Sequence, residues 1–124
     1  MDATLNLWRR STFVWGQTDC IMSVANYIRD VTGSDPAAEW RGTYDDEAGA
    51  LAITDRYGGP LGLCSYGAGL AGMKPLQQPL RGAVVVCQIG PKEIAGLCLG
   101  DRTVFMALRG CVEFRAKVLA AWAV

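Results

Sequence analysis

The sequence predicts an α+β fold in which N-terminal helices precede a small antiparallel β-sheet. In the first half, apolar residues recur at spacings of three and four, which indicates amphipathic helices. After Pro79 the pattern changes to β-branched runs separated by glycine turns, which is typical of antiparallel strands. We expect a single domain over residues 1–124, because no linker, repeat or low-complexity tract divides the chain.

The chain begins with a predicted short helix over residues 3–10, with Leu5 and Trp8 facing the core. A loop follows in which Phe13 and Trp15 are expected to hold the backbone against the core. Gly16 then permits a tight approach to the next helix.

The central element is a helix that starts near Cys20 and ends at Gly33. Asp19 is a suitable N-cap, and Gly33 is a suitable C-cap. Residues at spacings of four, three and four predict the buried stripe: Cys20, Val24, Tyr27 and Val31.

Beyond this core helix, Asp35 and Pro36 predict a short helical turn. A further helix is expected over residues 45–57, with acidic residues at its start. Residues 61–73 are ambiguous, because their glycines oppose a stable helix while their apolar side chains favour burial.

The second half predicts a meander of five strands. They are expected at residues 83–87, 94–99, 103–108, 111–114 and 118–122.

Composition excludes several classes of function. Twelve basic and twelve acidic residues balance, which gives no electrostatic case for nucleic acid or an anionic membrane as partner. No apolar run reaches the roughly 18 residues that span a bilayer, and the N-terminus lacks signal-peptide order, so we expect synthesis in a cytoplasm. Hydrophobic residues make up 51% of a chain without net charge, which favours a subunit of an assembly.

The cysteine and histidine content limits the chemistry further. The five cysteines are odd in number and form no CxxC pair, so we expect neither a disulfide framework nor a zinc ribbon, and no metal or cofactor. A redox or iron–sulfur site is the alternative, because Cys87 and Cys98 fall on neighbouring predicted strands. The chain has no His, which excludes Ser-His-Asp and Cys-His catalysis in their usual form.

Cys20 is the candidate nucleophile, since a thiol at a helix N-terminus is expected to have a lowered pKa. The same position also suits an ordinary core cysteine. A nucleophile needs a base, and Asp19 is better placed as a helix cap. The candidate bases from the second half are Lys92, Glu93, Asp101 and Glu113.

A second group of residues has a functional and a structural interpretation. Asp35, Arg41 and Tyr44 would form either a substrate-binding rim or a structural loop, and we favour the loop. In the loop, Asp35 would act as a cap, and Arg41 would make an ion pair or contacts with backbone carbonyls. Trp15 and Trp122 are candidates for binding a partner, although tryptophans more often belong to the core. Trp122 is the better interface candidate, because chain ends lie at the surface.

Several short motifs in order resemble a known family. They are Phe13-x-Trp15-Gly16-x-x-Asp19-Cys20, Thr32-Gly33-x-Asp35-Pro36, Arg41-Gly42-x-Tyr44, Gly58-Gly59 and Ala121-Trp122-Ala123-Val124. With them the chain resembles a small group of phage and prophage tail-associated proteins with an NlpC/P60-like, papain-like fold. The resemblance covers nearly the whole chain and is closest in the first three motifs.

The resemblance places Cys20 at the nucleophile position of that superfamily. It also places Ala95 where the catalytic His is expected, and Ala83 where an acidic residue is usual. Both differences remove polar groups from the implied catalytic set.

Two functions follow from the resemblance. The first is a structural tail-tip or baseplate protein with a degenerate fold, a pseudoenzyme that docks on hub or distal-tail proteins. It would be made in the bacterial host cytoplasm and reside in the virion as part of a hetero-oligomeric assembly. The alternative is a cysteine peptidase or amidase that acts on peptidoglycan stem peptides during DNA entry, in which Cys20 works with an unusual base or with a residue of a partner.

Overall fold

A computed structural model describes residues 1–124, and it has four helices followed by a six-stranded antiparallel sheet. The helices are α1 (Asp2–Arg9), α2 (Cys20–Thr32), α3 (Glu47–Asp55) and α4 (Pro60–Leu70). The strands are β1 (Lys74–Leu76), β2 (Val84–Ile89), β3 (Lys92–Cys98), β4 (Thr103–Met106), β5 (Cys111–Phe114) and β6 (Lys117–Ala123). The predicted α+β class and the order of helices before strands are confirmed.

The core helix α2 has the predicted ends. Asp19 accepts a hydrogen bond from the backbone N–H of Met22 at 2.9 Å, and Gly33 closes the helix with a left-handed φ of 79°. The predicted stripe is wrong at Val31, which is 54% exposed. All residues from 29 to 34 are exposed, so the last turn of α2 extends beyond the elements that bury the rest of the helix.

Helix α4 forms where the sequence was ambiguous. Pro60 starts the helix, and the Glu93 carboxylate on β3 accepts a hydrogen bond from the Leu61 N–H at 3.0 Å. The glycines serve close packing, because a Cβ on Gly62 would overlap the carbonyl oxygen of Tyr57. The helix is therefore stabilised by contacts with distant parts of the chain rather than by its own propensity.

The sheet has the strand order β1-β6-β2-β3-β4-β5, so the predicted simple meander is wrong at its end. Strands β2 to β5 follow one another as a meander, but β6 returns to lie between β1 and β2. The sequence did not predict β1, a three-residue strand that pairs only with β6. The residue pairs Val84–Trp122 and Val86–Ala95 set the register around β2.

The sheet curls into a barrel-like shape. Only residues 115 and 116 join β5 to β6, although β2, β3 and β4 lie between these two strands in the sheet. In a flat sheet the two strands would be about 19 Å apart, at about 4.8 Å for each step. Three residues of extended chain span at most about 11 Å, so the sheet must curve to bring β5 back towards β6.

The inside of the curl has its own apolar core. Cys87 on β2 reaches across β3 to contact the Thr103 hydroxyl on β4 at 3.7 Å. This contact is possible because Gly96 on β3 has no side chain between them; a Cβ there would lie 2.7 Å from the Thr103 methyl group and 2.9 Å from the Phe105 ring. Members of this core include Val85, Cys87, Cys98, Phe105 and Ala121.

The opposite face of the sheet packs against the helices. Leu5 and Trp8 of α1 are buried there, as predicted, together with Val24 and Tyr27 of α2. The Tyr27 hydroxyl donates a hydrogen bond to the Gly82 carbonyl at 3.0 Å, which ties α2 to the start of β2. Cys20 and its surroundings lie at the N-terminal end of this packed helix.

Candidate functional site

Asp19, immediately before Cys20, is a buried carboxylate with both oxygens occupied. One oxygen accepts the Met22 N–H bond of the helix cap, and the other accepts from the Gly16 N–H at 2.8 Å and from the Tyr44 hydroxyl. Its side chain is 2% exposed. These three hydrogen bonds join the Gly16 loop and Tyr44 to the start of α2. They leave the Asp19 carboxylate poorly placed to take a proton from Cys20.

The loop before α2 and the loop around Tyr44 are joined backbone to backbone. The Gly42 N–H donates to the Gly16 carbonyl at 3.0 Å. Gly16 has a φ of +79°, and a Cβ on it would overlap the Tyr44 carbonyl oxygen. This position therefore requires glycine for both conformation and space.

Of the two contacts predicted for Arg41, an ion pair or carbonyl contacts, the structure shows an ion pair, and its partner is Asp35. The Arg41 guanidinium holds both Asp35 carboxylate oxygens, at 2.9 and 3.0 Å, and also donates to the Asn26 amide on α2. The hydrogen bond from Arg41 holds the pKa of Asp35 below its usual value. The Asn26 amide in turn donates to the Gln17 carbonyl at 3.2 Å, so Arg41 connects three segments of backbone.

Cys20 is the first residue of α2 and is partly buried beside a small cavity of about 50 Å³. The walls of this cavity are mostly apolar and include Trp15, Met22, Ile53 and Leu63. The volume accommodates a water molecule or a methyl group and is far too small for a peptide substrate.

The predicted lowering of the Cys20 pKa is wrong. Burial, with a smaller contribution from the negative charge of Asp19, raises the pKa of this thiol to about 11. Hydrogen bonds from the backbone N–H groups of Ile21 and Cys20 oppose this rise without overcoming it. At neutral pH the group is a thiol and not the nucleophilic thiolate.

A second cysteine, Cys64 on α4, lies close enough to interact electrostatically with Cys20. Burial raises its pKa to about 12, and the charges of Cys20 and Glu93 act in the same direction. This proximity had no signal in the sequence, because the two cysteines are far apart in the chain and belong to different helices.

Glu93 is the candidate base whose charge acts on one of these thiols, Cys64. It shares a face of β3 with Ala95, since alternate residues of a strand point the same way. However, one of its oxygens is held by the Leu61 N–H at the start of α4. Among the other candidates, Asp101 pairs with Arg115 at 3.3 Å, and Glu113 lines a separate cleft beside α1.

Ala95 and Ala83 are both buried, on opposite faces of the sheet. Ala95 packs in the helix-facing core that contains Val24. Ala83 belongs to the core inside the curl, away from α2. Neither position brings a polar side chain towards Cys20.

The two candidate tryptophans lie in different environments. Trp15 is partly buried, packs edge-on against Phe13 with ring centroids 4.7 Å apart, and borders the Cys20 cavity. Trp122 is 5% exposed, so its predicted place at the surface is wrong. It is buried because β6 lies between two other strands, although it is near the end of the sequence.

All five cysteines are free thiols, and Cys87 and Cys98 share the core inside the curl. No three Cys, Asp or Glu side chains gather in positions that could hold a metal ion. Every helix is too short or too polar to cross a membrane.

The chain belongs to the family described as domain of unknown function DUF6950, whose model matches residues 1–124. Neither the curated proteins nor the solved structures contain a match to it.

Proposed function

We propose that this chain is a structural subunit of a phage tail tip or baseplate, built on an NlpC/P60-like scaffold without a working catalytic set. The observation that carries the proposal is the state of Cys20. Its thiol has a pKa raised to about 11, and the adjacent Asp19 carboxylate is fully used in hydrogen bonds. The cavity beside Cys20 has room for little more than a water molecule.

The residues that resemble the tail-associated family support a role in assembly. Gly16, Asp19, Arg41 and Tyr44 hold two loops to the start of α2 through hydrogen bonds and an ion pair. These contacts account for the shared motifs as parts of a scaffold. The zero net charge and high apolar content also suit a protein that is a permanent subunit of an assembly. Its partners would be hub or distal-tail proteins in the virion.

The alternative is a cysteine peptidase or amidase that cleaves peptidoglycan stem peptides. The observation in its favour is the position of Cys20 as the first residue of a core helix beside a cavity. It would require a partner to open the cavity and to supply the base that this chain lacks.

Phage genetics separates the two functions. In a phage that encodes this chain, we expect deletion to abolish tail assembly and Cys20→Ser to leave infection unchanged, with Cys64→Ser as the matched control. Mass spectrometry of purified virions should detect the chain. Normal tails in the deletion strain would refute the structural role, whereas complete but non-infectious Cys20→Ser particles would support the enzyme.

A further inference from the structure

A cleft away from Cys20 is much larger than the Cys20 cavity. It is an open polar cleft of about 430 Å³ between α1 and the ends of several strands. This volume is in the range of pockets that hold small molecules, whereas the Cys20 cavity is about 50 Å³. Concave space for a ligand is therefore available at this cleft and not at the thiol.

One wall of the cleft is a single face of α1. Asp2, Leu5, Asn6 and Arg9 line it, at the spacings of three and four that place residues on one side of a helix. The other wall carries Arg81 and Glu113. Two leucines, Leu5 and Leu99, contribute the apolar part of the lining.

The cleft is lined by two acidic and two basic side chains, and only one of each forms an ion pair within the protein. Arg81 makes a 3.6 Å ion pair with Asp2 and donates to the Leu99 carbonyl at 3.3 Å. Arg9 bonds only the neutral Asn6 amide, at 3.2 Å, and neither Arg9 nor Glu113 forms an ion pair. The cleft thus offers one unpaired cation and one unpaired anion to a ligand.

Arg9 and Glu113 both line this cleft, Arg9 from α1 and Glu113 from β5. Both act on the same thiol, Cys111, whose pKa is raised by burial, lowered by Arg9 and raised by Glu113. A ligand of modest size would therefore reach both charges.

We propose that this cleft binds a small zwitterion of the amino-acid or short-peptide class, with its carboxylate on Arg9 and its ammonium group on Glu113. Arginine suits a carboxylate because its planar guanidinium presents paired N–H donors. A polyanion is disfavoured, since Asp2 and Glu113 would repel it. A small side chain of the ligand would rest on Leu5 and Leu99. This site is separate from the assembly role and does not depend on it.

The test is an NMR titration of the ¹⁵N-labelled chain with the dipeptide Ala-Ala. We expect saturable shifts confined to α1, the Arg81 loop and β5. Acetylation of the amine or amidation of the carboxylate removes one charge from the probe, and each should weaken binding about tenfold. Absent shifts, or shifts spread over the whole molecule, would overturn the proposal.

Variants assign the two charges. Glu113→Gln should weaken the binding of Ala-Ala, and this variant should bind N-acetyl-Ala-Ala as tightly as Ala-Ala. Arg9→Gln should bind Ala-Ala-amide as tightly as Ala-Ala. Arg29→Gln and Glu39→Gln remove exposed charges elsewhere and should change neither preference. The dispersion of each spectrum reports whether the variant folds. If N-acetyl-Ala-Ala binds the unaltered chain as tightly as Ala-Ala, the cleft is a simple anion site and the zwitterion proposal is wrong.

Discussion

At the scale of single residues, the start of α2 is a hydrogen-bonded junction. Asp19 could be predicted from the sequence as a helix cap, because an Asp before an apolar helical run is a strong start signal. The sequence could not show that the same carboxylate also binds Gly16 and Tyr44, since the tyrosine is 25 residues away. These additional hydrogen bonds favour a structural role for Asp19 over a catalytic one.

Gly16→Ala tests this junction. We expect a loss of about 3 kcal/mol or more in the free energy of unfolding, from backbone strain plus overlap with the Tyr44 carbonyl. Gly33→Ala is the matched control, because Gly33 has the same φ of +79° but nothing within 4 Å of its Cβ position. The control should lose only about 1 kcal/mol. Urea denaturation measures the free energy of unfolding of both variants. An equal decrease in the two would show that the junction is not tightly packed.

At the scale of elements, helices whose signals lie in their own sequence could be predicted, whereas α4, which depends on contacts from elsewhere in the chain, could not. The sequence signals of α2 all lie within the helix and its two caps. The glycines of α4 make it ambiguous in the sequence, and the carboxylate that binds its first turn, Glu93, comes from a strand 32 residues later. Strand β1 contains only three residues, one of them Pro75, and it exists because β6 offers an edge to pair with.

Glu93→Ala should therefore destabilise α4. We expect a loss of about 1–2 kcal/mol, the usual cost of removing a helix cap. Lys92→Ala alters the exposed neighbouring residue and should change stability by less than about 0.5 kcal/mol. Hydrogen exchange should show faster exchange at the start of α4 in Glu93→Ala alone; unchanged exchange there would mean that the carboxylate does not cap the helix.

Gly96→Ala tests the curl of the sheet. The new methyl group would lie 2.6 Å from the Val104 carbonyl and 2.9 Å from the Phe105 ring, so we expect a loss of about 2–3 kcal/mol. Gly69→Ala is the control, because it adds a methyl group in open space on α4 and should stabilise the protein by about 0.5–1 kcal/mol. Thermal denaturation measures both, and a neutral Gly96→Ala would argue against close contact across β3.

At the scale of the whole molecule, a curled sheet with its own interior core packs one face against three helices. Five of the six strands were visible in the sequence as apolar runs, but their order was not. Predicting a meander placed the last strand at an edge and Trp122 at the surface, whereas β6 lies inside the sheet. Pairing between distant segments is set by the packing of the entire fold, which local patterns do not contain.

The partly buried thiols of Cys20 and Cys64 should lower the stability of the folded protein in alkali. The pKa values of Cys20 and Cys64 are raised from an ordinary value of 9.0 to about 11 and about 12. Between pH 9.0 and about 11 the Cys20 thiol is ionised in the unfolded chain but still protonated in the folded chain. The free energy of unfolding therefore keeps its full value below pH 9.0 and decreases as the pH rises towards 11. Each thiol lowers the free energy of unfolding by up to about 1.4 kcal/mol for each pH unit in this range. Urea unfolding from pH 8 to 11 should show a shallower decline in a Cys20→Ser/Cys64→Ser variant; an identical decline would exclude these thiols as its cause.

The titration of Cys20 itself tests the central proposal, that this thiol is not an activated nucleophile. The rate of its alkylation by iodoacetamide, followed by peptide mass spectrometry across pH, reports the fraction of thiolate. We predict a rate at neutral pH below that of a free cysteine peptide and a midpoint near pH 11. A fast reaction at neutral pH with a midpoint below that of the peptide would show an activated nucleophile and contradict the account.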